Sequence, residues 1–176
     1  AKLFKKLPGE KVQCTACQRY CQISEGQTGF CLTRMNVEGQ LYSLTYGCSS
    51  GIQVDPIEKK PLERFHPGTR VLSLGSWGCN FRCKQCQNWQ ISWGASNRLS
   101  NLSHLSYLSP KALVELAVRR SCPGIAFTYN EPAIWPEYVY DTATLAKKAG
   151  LFTVFVSNGS WTKEALAYYG QFIDAA

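Results

Sequence analysis

Three cysteines crowd the stretch "SWGCNFRCKQCQNWQ" (residues 76–90): Cys79, Cys83 and Cys86 follow a C-x3-C-x2-C spacing, with no fourth thiol in the loop. A structural zinc takes four protein ligands, usually presented as C-x2-C pairs. One reading therefore completes the trio from Cys48, Cys122, His66 or His104. The other reading is a four-iron cluster, a cube of which a short loop reaches three corners and leaves one iron without a side-chain ligand. An open coordination position marks a site that binds something reactive rather than one that staples a fold. A second group, Cys14, Cys17, Cys21 and Cys31, follows C-x2-C-x3-C-x9-C. Four thiols in a short, loop-rich segment that lacks a core to fold alone fit a closed four-thiolate site. Zinc and a second iron–sulfur cluster both suit the spacing, with zinc the preferred occupant; zinc would be structural, whereas a cluster could relay electrons.

The elements that must position these groups begin at residue 70, where strands and helices alternate. "RVLSLG" (70–75), "GIAFTYN" (124–130) and "LFTVFVSNG" (151–159) read as strands. "SPKALVELAVRR" (109–120) has Ser109 as N-cap and Pro110 at the first helical position. "WPEYVYDTATLAKKAG" (135–150) places acids early, lysines late and a glycine at its end; "SWTKEALAYYG" (160–170) is the third helix. "QFIDAA" (171–176) starts a fourth strand. This order predicts an α/β fold with a parallel sheet, closed as a barrel or doubly wound, whose chemistry lies at the carboxyl ends of the strands. Those ends read "GSWGCNFRCKQC", "TYNEP" and "VSNG".

Residues 1–68 differ in texture and form a cysteine-rich N-terminal domain; residues 69–176 form the strand–helix part. The first contains a hairpin turning at Glu38-Gly39, with Leu41, Leu44 and Tyr46 as its buried face. It ends in a proline-bounded linker, "DPIEKKPLERFHPG" (55–68), where Lys59 and Lys60 are expected to be solvated. Asn88 reads as a turn residue, His66 and His104 as ordinary surface histidines, and Cys48 and Cys122 as plain thiols. Trp77, Trp89 and Trp93 flank the cysteine loop and are expected to shield it from water.

A net charge of +7 arises from scattered pairs, Lys5-Lys6, Lys59-Lys60, Arg119-Arg120 and Lys147-Lys148, so it argues for acidic partners or anionic ligands at least as well as for nucleic acid. Residues 1–12 lack the apolar core of a signal peptide and no run is long enough to span a bilayer. Nine cysteines, an odd number, are then expected to be reduced thiols or metal ligands in a cytoplasm.

"CNFRCKQC" resembles the signature of radical S-adenosylmethionine enzymes, and "DPIEKKPL…GCNFRCKQCQN…YNEP…SNG" resembles the radical enzymes of the AmmeMemoRadiSam system, relatives of pyruvate formate-lyase activating enzymes. The resemblance implies a partial (β/α) barrel preceded by a cysteine-rich metal-binding domain, with Cys79, Cys83 and Cys86 holding a [4Fe–4S] cluster whose open iron binds S-adenosylmethionine. It implies reductive cleavage to a 5′-deoxyadenosyl radical that abstracts hydrogen from a substrate, a glycyl residue of a partner protein being one candidate. Tyr129-Asn130-Glu131-Pro132 matches the family's Gly-Gly-Glu-Pro-like turn, which receives the methionine ammonium. Gln85, before the last cysteine, stands where relatives carry an aromatic or apolar residue near the adenine. Ser157 and Asn158 face the ligand in a strand end where relatives often read Asp-Thr-Asn-Gly, and Arg64 replaces a histidine. Implied partners are a low-potential donor, flavodoxin or ferredoxin, and a protein substrate or gene-cluster partner, with no membrane and no nucleic acid. Relatives have about six strand–helix units against three here, so a fragment, a truncated product or a chain completed by a partner is expected. A zinc-binding nucleic-acid module and an iron–sulfur electron carrier are the alternative readings.

Overall fold

In the computed structural model, residues 1–95 and 105–176 are described; His104 lies outside them. Four strands form the principal sheet: β6 (Gly51–Pro56), β7 (Arg70–Gly75), β8 (Gly124–Phe127) and β9 (Phe152–Phe155), in that order. β7, β8 and β9 run parallel, as the strand–helix alternation predicts. The chain crosses between them through α1 (Pro110–Arg119) and α2 (Pro136–Lys148), and α3 (Lys163–Tyr169) follows β9. Local chemistry sets the helix starts. Ser109 Oγ accepts the Ala112 N–H at 3.1 Å, and Thr162 Oγ1 accepts the Ala165 N–H at 3.0 Å. "QFIDAA" makes only one parallel bridge to β9, Val154 to Ala175, preceded by a 3-10 turn at Gly170–Phe172.

The pleat divides the sheet into two faces. Leu72, Leu74, Ile125, Phe127 and Phe155 join the helices in the main core. On the opposite face Val71, Ala126 and Val154 pack with Ile57 in a smaller cluster. That second face carries the polar residues discussed below.

The N-terminal segment contains an antiparallel sheet, β1 (Phe4–Lys6), β2 (Val12–Cys14) and β3 (Gln22–Ile23), and a hairpin, β4 (Arg34–Val37) with β5 (Gln40–Ser43). Val37 pairs with Gln40 around Glu38 (φ 52°) and Gly39 (φ 67°), the two-residue turn expected there. Leu41 is buried, and Leu44 and Tyr46 are half-buried.

Two readings need correction. The boundary at residue 68 cuts a hairpin, because β6 pairs antiparallel with β7 along six residues, Gly51 opposite Gly75 through Pro56 opposite Arg70. Nor does the cysteine-rich segment own a separate core: Leu3, Val12, Ile23 and Leu41 belong to the same apolar cluster as Leu72, Leu113 and Trp135. So small a segment reaches adequate burial only by borrowing a neighbour's surface. Polar ties seal the junction. Arg34 donates to Glu137 through both terminal nitrogens, at 2.8 and 3.0 Å, and Thr162 Oγ1 donates to the Thr15 carbonyl at 2.6 Å.

Candidate functional site

The three strand ends meet. β7 leads into the loop of Cys79, Cys83 and Cys86; β8 into the Tyr129–Pro132 turn; β9 into Ser157 and Asn158. Cys79 and Cys86 are half-buried and Cys83 is exposed, so the loop offers its thiols at the rim of the sheet. Burial raises the Cys79 pKa, opposed by the Phe81 backbone N–H, which lies 3.4 Å from its sulfur. Gln85 is exposed on the same loop.

Asparagines tie the loop to the turn. Asn130 accepts the Ser76 N–H at 2.9 Å and donates to the Gly78 carbonyl at 2.7 Å. Asn88, read as a turn residue, donates to the Tyr129 carbonyl at 2.8 Å. Fully buried Asn80, which the sequence reading passed over, accepts from Asn158 Nδ2 at 2.9 Å and links the loop to the third strand end. Such amides satisfy both loop and turn backbones, so the three segments share one geometry. Trp93 Nε1 donates to the Cys83 carbonyl at 3.3 Å, and Trp89, 5.5 Å away between ring centroids, is 45 % exposed. One indole therefore braces the loop while the other leaves a broad apolar face open to solvent.

Glu131 is buried beneath the turn. Its Oε1 accepts from the Ala133 N–H at 2.9 Å and Ser157 Oγ at 2.7 Å, and its Oε2 from the Asn158 N–H at 2.7 Å. Burial raises its pKa above the carboxylate range, and these donors oppose the shift. A carboxylate has about four acceptor positions. Three are used within the protein, so Glu131 retains room for one more donor.

Tyr129 adopts φ 71°, a left-handed conformation in which a side chain is strained. Its hydroxyl donates to Asp55 Oδ2 at 2.7 Å, and Lys60 Nζ reaches the same oxygen at 2.8 Å and lies 5.0 Å from the Tyr129 ring. Here the expectation of two solvated lysines fails for one of them: Lys60 is 4 % exposed, because β6 carries Asp55 inward and the 3-10 turn at Ile57–Lys59 folds the lysine back onto it. Lys59 remains on the surface, 3.3 Å from Asp55 Oδ1. Burial pushes the Asp55 pKa up, but the Lys60 ammonium and the Tyr129 hydroxyl more than offset it, leaving the carboxyl well below its usual range. This trio floors a cavity of about 720 Å³ bounded also by Asn88, Thr128 and Asn130. The only sequence signal for it was the "DPIEKK" string beside a strand.

The other four cysteines converge on a closed pocket with Ile23, Ile134 and Asn80 in its wall. Cys14, Cys17 and Cys31 are buried and Cys21 half-buried. As free thiols they are hard to ionise: burial raises Cys14 and takes Cys17 to about 11. His66 takes no part in either cysteine group; it stacks on Phe152 with centroids 4.5 Å apart. Cys48 is half-buried in a bridge to Tyr107 and Cys122 is buried behind β8.

Three thiols on an open loop, set beside a turn tied to it by Asn88 and Asn130, match in kind the site of the family that the sequence now proves to join. Residues 76–173 match the model of the radical SAM superfamily, and the chain belongs to that superfamily. It is 45 % identical over 166 residues to an uncharacterized protein of Methanocaldococcus jannaschii; that alignment takes in 94 % of this chain and 49 % of the relative, so the chain spans about half the relative's length. Family membership implies a [4Fe–4S] cluster and S-adenosylmethionine. The donor set fits both: the loop supplies three soft ligands and no fourth, and the neighbouring turn supplies carbonyls and one open carboxylate position. No helix among the described residues is long and apolar enough to cross a membrane.

Proposed function

We propose that the chain forms the cluster-binding part of a radical enzyme that cleaves S-adenosylmethionine reductively, of the AmmeMemoRadiSam or activating-enzyme type. The observation that carries the reading is the open three-thiol loop cross-tied by Asn88 and Asn130 to the Tyr129–Glu131 turn. When bound there, the cluster and S-adenosylmethionine supply one-electron cleavage to a 5′-deoxyadenosyl radical, which takes hydrogen from the substrate. The residues of this chain hold and orient. Cys79, Cys83 and Cys86 ligate three irons, and the carbonyls of the turn with Glu131 Oε2 receive the methionine ammonium. Ser157 and Asn158 fix that carboxylate from below, and Gln85 lies on the adenine side through its backbone. The parallel sheet is the first part of a partial (β/α) barrel, and its second face with the cavity over Asp55, Lys60 and Tyr129 is the lumen where water is excluded.

In this reading the enzyme works in the cytoplasm with flavodoxin or ferredoxin as electron donor. Its substrate is a small molecule, or a protein residue such as a glycine of a gene-cluster partner. Anaerobic reconstitution of the full-length protein with iron and sulfide, followed by dithionite and S-adenosylmethionine, should release 5′-deoxyadenosine and methionine. A correctly loaded protein that releases neither would remove the enzymatic reading.

A further inference from the structure

We propose that Cys14, Cys17, Cys21 and Cys31 hold a second [4Fe–4S] cluster, ligated entirely by protein thiolates, and that it exchanges single electrons with the centre at Cys79, Cys83 and Cys86. The identity of the metal group stands on its own observations; its electron-transfer role rests on the radical-enzyme reading above.

Spacing separates the cluster from zinc. A tetrahedral zinc draws its sulfurs onto one point at about 2.3 Å, whereas a cube presents a different iron to each thiolate, so its ligands stand around a wider space. The four thiols surround one closed pocket. Among the described residues, however, no three Cys, His, Asp or Glu side chains converge as a single metal ion requires. The structure therefore favours the cluster over the zinc that the sequence spacing suggested.

A buried donor in the same pocket points to an acceptor. Arg34, 1 % exposed, spends both terminal nitrogens on Glu137, while its Nε–H lines the pocket of the four cysteines and has no hydrogen-bond partner. A buried, unsatisfied donor costs about 1–3 kcal/mol. Thiolate or inorganic sulfide in the pocket would accept that N–H and remove the cost. Such hydrogen bonds to sulfur also tune cluster potentials.

The two thiol groups are neighbours. A Cβ at Gly78, the residue before Cys79, would stand 2.3 Å from the Cys31 carbonyl oxygen, so the loops meet backbone to backbone and only glycine fits between them. Arg82, inside the three-cysteine loop, donates to the Phe30 carbonyl at 2.7 Å, and Arg19, between Cys17 and Cys21, donates to the Asn80 carbonyl. Phe30 lies between both guanidiniums, at 3.5 Å and 4.3 Å. An electron leaving the closed centre thus crosses residues that touch. The balance is simple: a low-potential one-electron donor protein is oxidised by one electron, the four-thiolate cluster is reduced from the 2+ to the 1+ core and returns as the three-thiolate cluster is reduced in turn. No bond forms or breaks and no proton moves.

The test uses the full-length protein, reconstituted anaerobically with iron and sulfide in the presence of zinc. Metal and sulfide analysis should give about eight irons and eight sulfides per chain, and the triple variant Cys79→Ala/Cys83→Ala/Cys86→Ala should keep about four of each. Because that variant alters a rim loop and leaves the four-cysteine pocket intact, one zinc and no iron in it would overturn the proposal. Failure of the radical-enzyme reading looks different: about four irons in the parent, all of them surviving the triple change. After dithionite, the electron paramagnetic resonance spectrum of the parent should be broadened by spin coupling between the two clusters. A spectrum equal to the sum of those of the triple variant and Cys17→Ala/Cys21→Ala would refute electron exchange.

Discussion

The molecule carries two cysteine groups that differ in almost every physical respect, although their loops touch. Cys14, Cys17, Cys21 and Cys31 are enclosed, lined by isoleucines and braced by a buried ion pair, Arg34 with Glu137. Cys79, Cys83 and Cys86 stand at a rim, with Cys83 exposed and amide side chains rather than ion pairs fixing the surroundings. Four ligands in a closed pocket saturate whatever they bind and make it part of the core. Three ligands on an open loop leave a coordination position and a route to it. Nature and count of the ligands are alike enough to be confused in a sequence; enclosure separates a group that holds the fold from one that does the work.

The largest expected difference lies in activity. Cys83→Ala should lower 5′-deoxyadenosine release by at least about a thousandfold, since the chemistry belongs to the cofactor it holds, and should move stability by no more than about 0.5 kcal/mol, because the thiol is on the surface. Product assay and urea unfolding of the same preparation give both numbers. Equal damage to both properties would erase the contrast.

Next comes the ion pair that braces the closed group. Arg34→Ala leaves Glu137 buried and unpaired and should cost about 3–5 kcal/mol in urea unfolding, while Arg34→Met/Glu137→Leu should recover most of it. The two buried glutamates also give opposite pH signatures. Burial pushes the Glu137 pKa up, but Arg34 more than offsets it and the folded value lies below the ordinary 4.5. Its contribution is therefore present above that value and lost as pH falls through the folded pKa. Glu131 stands above 4.5 because burial dominates, so it costs stability as pH rises from the ordinary value to the folded one. Unfolding between pH 3 and 8 should show Glu137→Gln flattening the acid loss and Glu131→Gln flattening the loss on the rising side; identical profiles would contradict the assignment.

A smaller effect probes how the open group is supported. If Asp55 and Lys60 hold Tyr129 in its left-handed conformation, Asp55→Asn should weaken S-adenosylmethionine binding about tenfold, or about 1.4 kcal/mol. In a Tyr129→Gly background, where that conformation is free of strain, the same change should weaken it by less than about twofold. Calorimetric titration of the reconstituted protein measures the cycle, and an undiminished effect in the glycine background would mean that Asp55 acts on the ligand itself. Smallest of all, Lys59→Ala should change stability by less than about 0.5 kcal/mol, because that lysine is 67 % exposed, whereas its neighbour Lys60 is 3 % exposed and should matter several times more.

Most of the positioning frame was legible along the chain. Ser109, Thr162 and the Glu38-Gly39 turn act locally, so their effects could be read from a few residues, and β7 spans the residues expected of it. The antiparallel β6 was not legible, because a proline-bounded segment looks the same whether it pairs with a strand or lies in solvent. For the same reason Lys60 was misread: a lysine's burial depends on the carboxylate that meets it, and the Tyr129 hydroxyl completing that cluster comes from 74 residues past Asp55. Asn80 and Asn88 carried no signal, since an asparagine in a glycine-rich loop satisfies its own turn as readily as a distant backbone.

By itself the sequence determined the ligand inventory: nine thiols, two spacings, and a loop with three cysteines where four would close the site. Covalent order settles such facts, because a spacing of two or three residues limits what a short loop can reach. Tertiary structure alone decided which thiols are enclosed, which glutamate meets a guanidinium 103 residues away, and which of two adjacent lysines leaves water. Burial and charge pairing are properties of the surroundings, and for these residues the surroundings come from distant parts of the chain.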